Sequence, residues 1–265
     1  MHCFSFLLAL VLCVGCDWKS HLKITDEDHK VFVDRYDRIE ALYLMTGDFS
    51  ALQHMNIDHP METRTLIEDV LKIGHVNDRE INTRFLRFFQ DSTLQTILNE
   101  VSRQYADMDD INKELAKAFK RLEDEVPGLR VPYIYAQIGA LDQSVVIANN
   151  MVGICLDKYL GTDFSPYKAY YPLEQRRLMV RSMIVPDCLH FFILSQFPLP
   201  AHDKETQLEC DVHMAKIQWV VNRLIGRDAF CSVYVEMVDK YMKHHKKTTM
   251  LQLLSQPNLA DIIMS

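Results

Sequence analysis

Hydrophobic residues recur every three or four positions along most of this 265-residue chain. That spacing is typical of helices with one buried face. The pattern predicts helices over about 25–45, 66–73, 81–88, 92–126, 184–197, 204–224 and 230–241, with two short pieces in the tail. Glycine or proline follows most of these segments, as expected at helix ends. The chain therefore predicts a mainly helical protein.

One stretch has strand character instead. Pro132–Ile138 and Ser144–Ala148 are rich in β-branched and aromatic residues, and the short segment GALDQ joins them. Such residues favour strands, and the short connection predicts a β-hairpin. Asn149-Asn150 then breaks the strand pattern, and Leu156–Leu160 has helical spacing. We predict an α+β fold, predominantly helical, with a small β-hairpin or sheet near residues 131–148 packed by helices.

The N-terminus resembles a secretory leader. Phe4–Val14 is an almost continuous apolar run, too short to span a bilayer, which needs about 20 apolar residues. Gly15-Cys16 ends it in the manner of a bacterial lipobox, although Cys13 stands where leucine is usual. The pattern predicts lipid attachment to Cys16. An ordinary signal peptide cleaved elsewhere, or a buried N-terminal helix, is the alternative.

These features divide the chain into three parts. Residues 1–15 are predicted to be a lipoprotein signal peptide, residues 16–24 a tether and residues 25–265 a single domain. Lipidation would anchor the protein to a membrane without spanning it. We therefore expect a cell-envelope protein that is held by its N-terminal lipid.

Composition limits the classes of partner that the protein is expected to bind. The chain is 48% hydrophobic and 25% charged, with a net charge of -7. An acidic chain lacks the basic surface that nucleic-acid binding needs, so no nucleic-acid partner is expected. No sequence pattern indicates a cofactor.

The helix predicted over 184–197 carries the strongest candidate chemistry. Pro186 suits a first helical turn, and Asp187 there complements the helix dipole. Asp187 and His190 lie three residues apart, on one face. They could orient a base or bind a metal, with Glu209 and His213 as further ligands. The alternative is a helix-capping aspartate and a neutral core histidine, satisfied by one hydrogen bond and without zinc.

Four cysteines follow the predicted anchor: Cys155, Cys188, Cys210 and Cys231. An oxidising envelope would permit two disulfides, with three possible connectivities. Each cysteine nevertheless sits in an apolar run read as helical, where cysteine acts as a small hydrophobic residue. We expect free, buried thiols.

Several segments together resemble the gliding motility-associated lipoprotein B (GldB) family of Bacteroidetes-type bacteria. They are Cys16, VGICLDKYLG (Val152–Gly161), SPYKAYYP, RSMIVPD (Arg181–Asp187) and the segment from Ile225 to Gln256. The resemblance implies an envelope lipoprotein associated with gliding motility and type IX secretion. It also implies an outer-membrane position facing the periplasm, and partners among envelope and motility or secretion proteins. It transfers no catalytic residues.

The order of hairpin, helix and buried helix is also similar to zinc metallopeptidases with an HExxH helix. In that frame Pro186 stands at the first histidine, Asp187 at the glutamate and His190 at the second histidine. Proline cannot bind a metal, so this analogy implies a degenerate zincin-like scaffold without its metal.

Two functions stay open at this point. The first is a non-enzymatic interaction or assembly factor of the envelope. The second is a metal-dependent, peptidase-like hydrolase that uses Asp187 and His190, with Glu209 or His213. An enzyme needs such groups to converge in an open pocket. Burial of His190 among aromatic residues would therefore favour the first function.

Overall fold

The structure is a computed structural model that describes residues 31–148, 150–199, 206–256 and 259–264. The predicted signal peptide, Cys16 and the tether lie outside these residues. The described chain is mostly helical with one small mixed sheet, which confirms the α+β, predominantly helical class. None of the described helices is long and apolar enough to cross a membrane.

The helices of the described residues are mostly short. The α-helices are α1 (Tyr36–Thr46), α2 (Phe49–Ile57), α3 (Pro60–Arg64), α4 (Ile81–Phe88), α5 (Ser92–Gln104), α6 (Asp109–Glu125), α7 (Ser165–Tyr170), α8 (Leu173–Arg176), α9 (Ile184–Gln196), α10 (Gln207–Ile225), α11 (Val233–His244), α12 (Met250–Ser255) and α13 (Ala260–Ile263). A π-helix spans Thr65–Val70, and 3-10 turns span Leu156–Lys158 and Arg181–Met183.

The sheet has four strands in the order β1-β2-β4-β3. They are β1 (Val33–Asp34), β2 (Tyr133–Gln137), β3 (Val145–Ala148) and β4 (Met151–Cys155). β2 is parallel to both β1 and β4, whereas β3 and β4 are antiparallel. The carboxyl ends of β2 and β4 therefore meet at the same end of the sheet.

The predicted hairpin was wrong in its pairing. β2 and β3 are not neighbours, because β4 lies between them. The true hairpin joins β3 to β4, with Asn150 in its turn at φ 62°. Asparagine tolerates this left-handed conformation better than most residues. The segment with helical spacing, Leu156–Leu160, directly follows β4 and forms only a 3-10 turn, Leu156–Lys158.

The helical predictions have mixed outcomes. α4, α9, α10 and the two short tail helices match them. Within the predicted first helix, Val33–Asp34 is a strand, and α2 lies between the first two predicted helices, where no helix was predicted. The long helix predicted over 92–126 is two helices, α5 and α6, which separate after Gln104. Asp91 caps the first of these by accepting hydrogen bonds from the N–H groups of Thr93 and Leu94.

Helices cover both faces of the central strands. Consecutive residues Ile134, Tyr135 and Ala136 of β2 are all buried, although neighbouring side chains point to opposite faces. α1 packs against β2, and α9 packs against β3 and β4. Gly153 permits a close contact, because a Cβ there would lie 2.6 Å from the hydroxyl of Tyr135.

The four described cysteines are free thiols, as predicted. Their burial was only partly foreseen. Cys155 and Cys188 are buried, Cys210 is half-buried and Cys231 is exposed. Cys155 also belongs to a strand rather than a helix. Cys231 differs because it lies ahead of α11, in the connection after α10.

Candidate functional site

Asp187 lies in the first turn of α9, directly after Pro186, as the sequence predicted. Its Oδ2 accepts a hydrogen bond from the hydroxyl of Tyr159 at 2.8 Å. Burial raises the pKa of Asp187 to about 6, and the tyrosine hydrogen bond opposes that rise. The carboxylate is therefore held by the residue that follows the 3-10 turn after β4.

His190 has different surroundings. It is 5% exposed, and its ring centroid lies 5.3 Å from that of Phe191 and 5.4 Å from that of Phe230. Its Nδ1 is buried and has no hydrogen-bond partner. Burial, and to a smaller extent His213, lowers the pKa of His190 to about 4, so the imidazole is neutral. Asp187 does not bond to His190 Nδ1, and its Oδ2 accepts from Tyr159 instead.

Glu209 and His213 both lie on α10 but make separate contacts. Glu209 forms a capping box with Thr206, whose backbone N–H donates to Glu209 Oε2 at 2.7 Å. His213 Nε2 lies 3.0 Å from the carbonyl oxygen of Phe197. Within the described ranges, no group of three or more His, Cys, Asp or Glu residues could hold a metal ion. The structure thus does not bring these candidate ligands together with His190 into a metal site.

A cleft of about 410 Å³ opens beside the carboxyl ends of β2 and β4. We call it the strand-end cleft. Its walls come from the loop after β2, the start of β3, the turn after β4, the segment around α8, and α9. It is lined by Asp142, Gln143, Ser144, Val145, Lys158, Tyr159, Gln175, Leu178, Met179, Asp187 and Phe191. His190 is not among the lining residues.

The loop after β2 is fixed by Asp157, a buried residue of the 3-10 turn. Asp157 accepts hydrogen bonds from the backbone N–H groups of Gly139 at 2.7 Å and Leu141 at 2.5 Å. Ala140 and Leu141 have φ values of 52° and 67°, which strain non-glycine residues. Burial raises the pKa of Asp157, whereas the two N–H groups lower it. This carboxyl group thus holds a strained loop at the rim of the cleft.

Acceptor oxygens dominate the polar lining of the strand-end cleft. Asp142 and Asp187 contribute carboxyl groups, and Gln143 and Gln175 contribute amides. Among the described residues that line the cleft, Lys158 is the single cation. Its ammonium already donates to the carbonyl oxygen of Leu141 at 3.2 Å and to the hydroxyl of Tyr171 at 3.1 Å. The cleft is therefore suited to a group that is basic or rich in hydrogen-bond donors.

Buried polar groups continue inward from the cleft. Glu40 of α1 accepts a hydrogen bond from the N–H of Ile138 at 2.9 Å, and Gln137 donates to the sulfur of Cys155 at 3.3 Å. Glu40 Oε1 and Gln137 Oε1 are buried without a partner. Burial raises the pKa of Glu40 well above its ordinary value. These residues link α1 to the ends of β2 and β4.

A protein-family model matches most of the chain. The model for gliding motility protein GldB matches residues 17–229, which is most of the chain. The chain belongs to this family. The match confirms the resemblance predicted from the sequence, and it covers both the sheet and helix α9. Searches of curated proteins and of solved structures found no match.

The zincin-like scaffold receives no support. That analogy depended on a hairpin of β2 and β3 followed by a helix, but β4 lies between these two strands in the sheet. At the positions of the analogy, Pro186 is buried in the first turn of α9 and Asp187 bonds to a tyrosine. His190 faces aromatic rings rather than the strand-end cleft. Family membership and the cleft are therefore the two findings on which function can be argued.

Proposed function

We propose that this protein is a lipid-anchored envelope component that acts on gliding motility by binding other proteins, without catalysis of its own. Membership of the gliding motility protein GldB family carries the proposal. The net charge of -7 is consistent with protein rather than nucleic-acid partners. Those partners belong to the envelope and to the motility or secretion machinery.

The anchor is the first part of the proposal. Cys16 follows an apolar leader, and the family match begins at the next residue, 17. Cleavage before Cys16 would leave a short tether, residues 16–24, in front of the folded domain. Two or more acyl chains would hold the protein stably at a membrane, since one binds only marginally. We place it in the outer membrane, facing the periplasm.

The absence of catalysis is the second part, and the geometry of α9 supports it. A hydrolytic site needs a base within hydrogen-bond reach of substrate. His190 is enclosed by aromatic rings, and Asp187 Oδ2 is bonded to Tyr159. Glu209 caps its own helix. No observation favours the alternative of a metal-dependent hydrolase over a protein-binding role.

The test is complementation in a gliding host whose own copy has been deleted. Wild type should restore spreading and appear in the membrane fraction with a lipid label on Cys16. Cys16→Ala should lose the label, leave the membrane fraction and fail to restore spreading. His190→Phe should restore spreading at wild-type level, because the imidazole has no catalytic task.

Two results would contradict the proposal. Membrane association and lipid labelling that persist in Cys16→Ala would reject the anchor. Loss of spreading in a folded His190→Phe protein, together with loss of a metal-dependent hydrolytic activity, would favour the enzyme instead.

A further inference from the structure

The outer edge of β3 offers unpaired backbone groups. β3 is the last strand of the sheet, and its other side pairs with β4. The N–H of Cys155 donates to the carbonyl of Ser144 at 3.0 Å, which makes this pair a hydrogen-bonded one. Hydrogen-bonded and non-bonded pairs alternate in antiparallel ladders. The N–H and C=O groups of Val145 and Ile147 consequently point away from β4.

The side chains of this edge include none of the usual devices against further pairing. Exposed edges in natural sheets commonly carry charges, prolines or bulges that prevent strand addition. Val145–Ala148 reads Val-Val-Ile-Ala and has none of these. Outside the pairing with β4, the backbone groups of Val145 and Ile147 make no backbone hydrogen bond among the described residues. The β3 edge is therefore chemically ready to accept another strand.

The strand-end cleft continues this edge. Ser144 and Val145 line one wall, and Leu178 lines the wall provided by the segment after α8. Asp142 and Asp187 place two carboxyl groups in the cleft, while the ammonium of Lys158 is engaged with Leu141 and Tyr171. A volume of about 410 Å³ lies within the usual range for ligand pockets. If the end of an added strand enters the cleft, its side chain would meet carboxyl oxygens that accept hydrogen bonds.

We infer that the β3 edge and the strand-end cleft together bind an extended segment of a partner protein, with a lysine or arginine of that segment in the cleft. The backbone of the segment would donate to and accept from Val145 and Ile147, as in strand addition to other sheets. Its basic side chain would bind Asp187 and Asp142 by charge complementarity. This inference rests on the proposed protein-binding function and names its surface.

The test begins with selection of peptides. A displayed library of random decapeptides is selected against the purified chain, and the best sequences are synthesised with a fluorescent label. We expect enrichment of β-branched residues next to a lysine or arginine. N-methylation of alternate amides in a selected peptide should weaken binding about tenfold, because the peptide can no longer pair with the edge.

Protein variants then locate the site. Ile147→Pro removes an N–H that points away from β4, so the ladder within the sheet stays intact. It should weaken binding about tenfold, whereas Ile147→Thr, which keeps the N–H and favours a strand, should bind nearly as wild type. Asp187→Asn should weaken a lysine-bearing peptide but leave its norleucine analogue unchanged. Circular dichroism checks that each variant is folded.

Several outcomes would overturn the inference. They are no enrichment, equal binding of the N-methylated peptide, and equal binding by a folded Ile147→Pro protein. Enhanced peptide binding by a chain that begins at residue 31 would instead show that the N-terminal segment of the same chain occupies the edge. Ile147→Pro that still restores spreading would reject this surface but leave the proposed function standing.

Discussion

Helix α9 has opposite electrostatic surroundings near its start and one turn later. On the cleft side, burial shifts the pKa of two acids, Asp157 and Asp187. On the side of α10 it shifts the pKa of three bases, His190, His213 and Lys216. Burial raises the pKa of the acids and lowers that of the bases, since it disfavours a charge of either sign. The same physical cause thus acts in opposite directions across one helix.

His190 differs from the other groups of both regions in how it is satisfied, since His213 contacts the carbonyl oxygen of Phe197 and Lys216 donates to that of Gln256. Asp157 accepts two backbone N–H groups and Asp187 accepts a tyrosine hydroxyl. His190 has a buried Nδ1 with no partner. Hydrogen bonds therefore offset the cost of burial in the cleft, where they also fix a loop, but not at His190. The polar groups of the cleft thus shape it, whereas His190 packs against aromatic rings with its Nδ1 unpaired.

The largest expected effect is at Asp157. Asp157→Ala leaves the N–H groups of Gly139 and Leu141 without their acceptor, in a loop with two strained residues. We expect the free energy of unfolding to fall by about 3 kcal/mol in urea titrations. Asp142→Ala, at an exposed site in the same loop, is the control and should change stability by less than about 0.5 kcal/mol. Equal effects of the two substitutions would show that the hydrogen bonds of Asp157 do not hold the loop.

The next effect concerns His190 at acid pH. Its pKa is about 4 in the folded protein, below the ordinary value of 6.5, so the unfolded state binds the proton more tightly. Wild type should therefore lose stability as the pH falls from about 6.5 towards 4. His190→Phe should remove this loss and be about 2 kcal/mol more stable than wild type at pH 5.

The check is the free energy of unfolding measured at several pH values. His244→Gln, at an exposed histidine near the end of α11, serves as the matched control. A pH profile of His190→Phe that runs parallel to that of wild type would mean that His190 is already charged in the folded state.

A smaller effect of opposite sign is expected at Asp187. Its folded pKa of about 6 lies above the ordinary 3.8, so the folded state binds the proton more tightly. Its contribution to stability is therefore lost as the pH rises from about 4 to 6. Asp187→Asn still accepts the hydroxyl of Tyr159 and should be about 1 kcal/mol more stable than wild type above pH 6, because partial exposure screens the effect. A decrease in stability there would indicate a charge partner for Asp187.

The smallest expected effect is the rate of thiol labelling at Cys188, which reports whether helix α9 opens. Cys188 lies between Asp187 and His190 and is buried, whereas Cys231 is exposed. A thiol reagent followed by mass spectrometry should modify Cys231 first, Cys210 more slowly, and Cys155 and Cys188 only when the protein unfolds. Labelling of Cys188 as fast as that of Cys231 would mean that α9 opens in the native state.

Helix α9, and the position of Asp187 in its first turn, could be predicted from the sequence. Pro186 fits a first helical turn and a long apolar run follows it, so the signals are local. The hydrogen-bond partner of Asp187 could not be predicted, because Tyr159 lies 28 residues away along the chain. Likewise, nothing near His190 shows that Phe230 and His213 of distant segments surround it.

The sheet was harder to predict for a physical reason. β4 is covered on both faces, so its residues do not alternate between apolar and polar and resemble a buried helix. Asn149-Asn150 was read as the end of a strand, but the structure has Asn150 in the turn between β3 and β4. Because the strand-end cleft depends on the parallel pairing of β2 with β4, the cleft could not be predicted without that strand.

The strand order has a consequence for the way in which the chain assembles. The β3–β4 hairpin is local and can form early, but β1 must wait for β2, which lies about a hundred residues later in the chain. During synthesis, which starts at the N-terminus, Val33–Asp34 therefore stays unpaired until the central strands are complete. Closure of the sheet by its first strand therefore comes last, and the segment that leads into α1 docks only once the rest of the sheet exists.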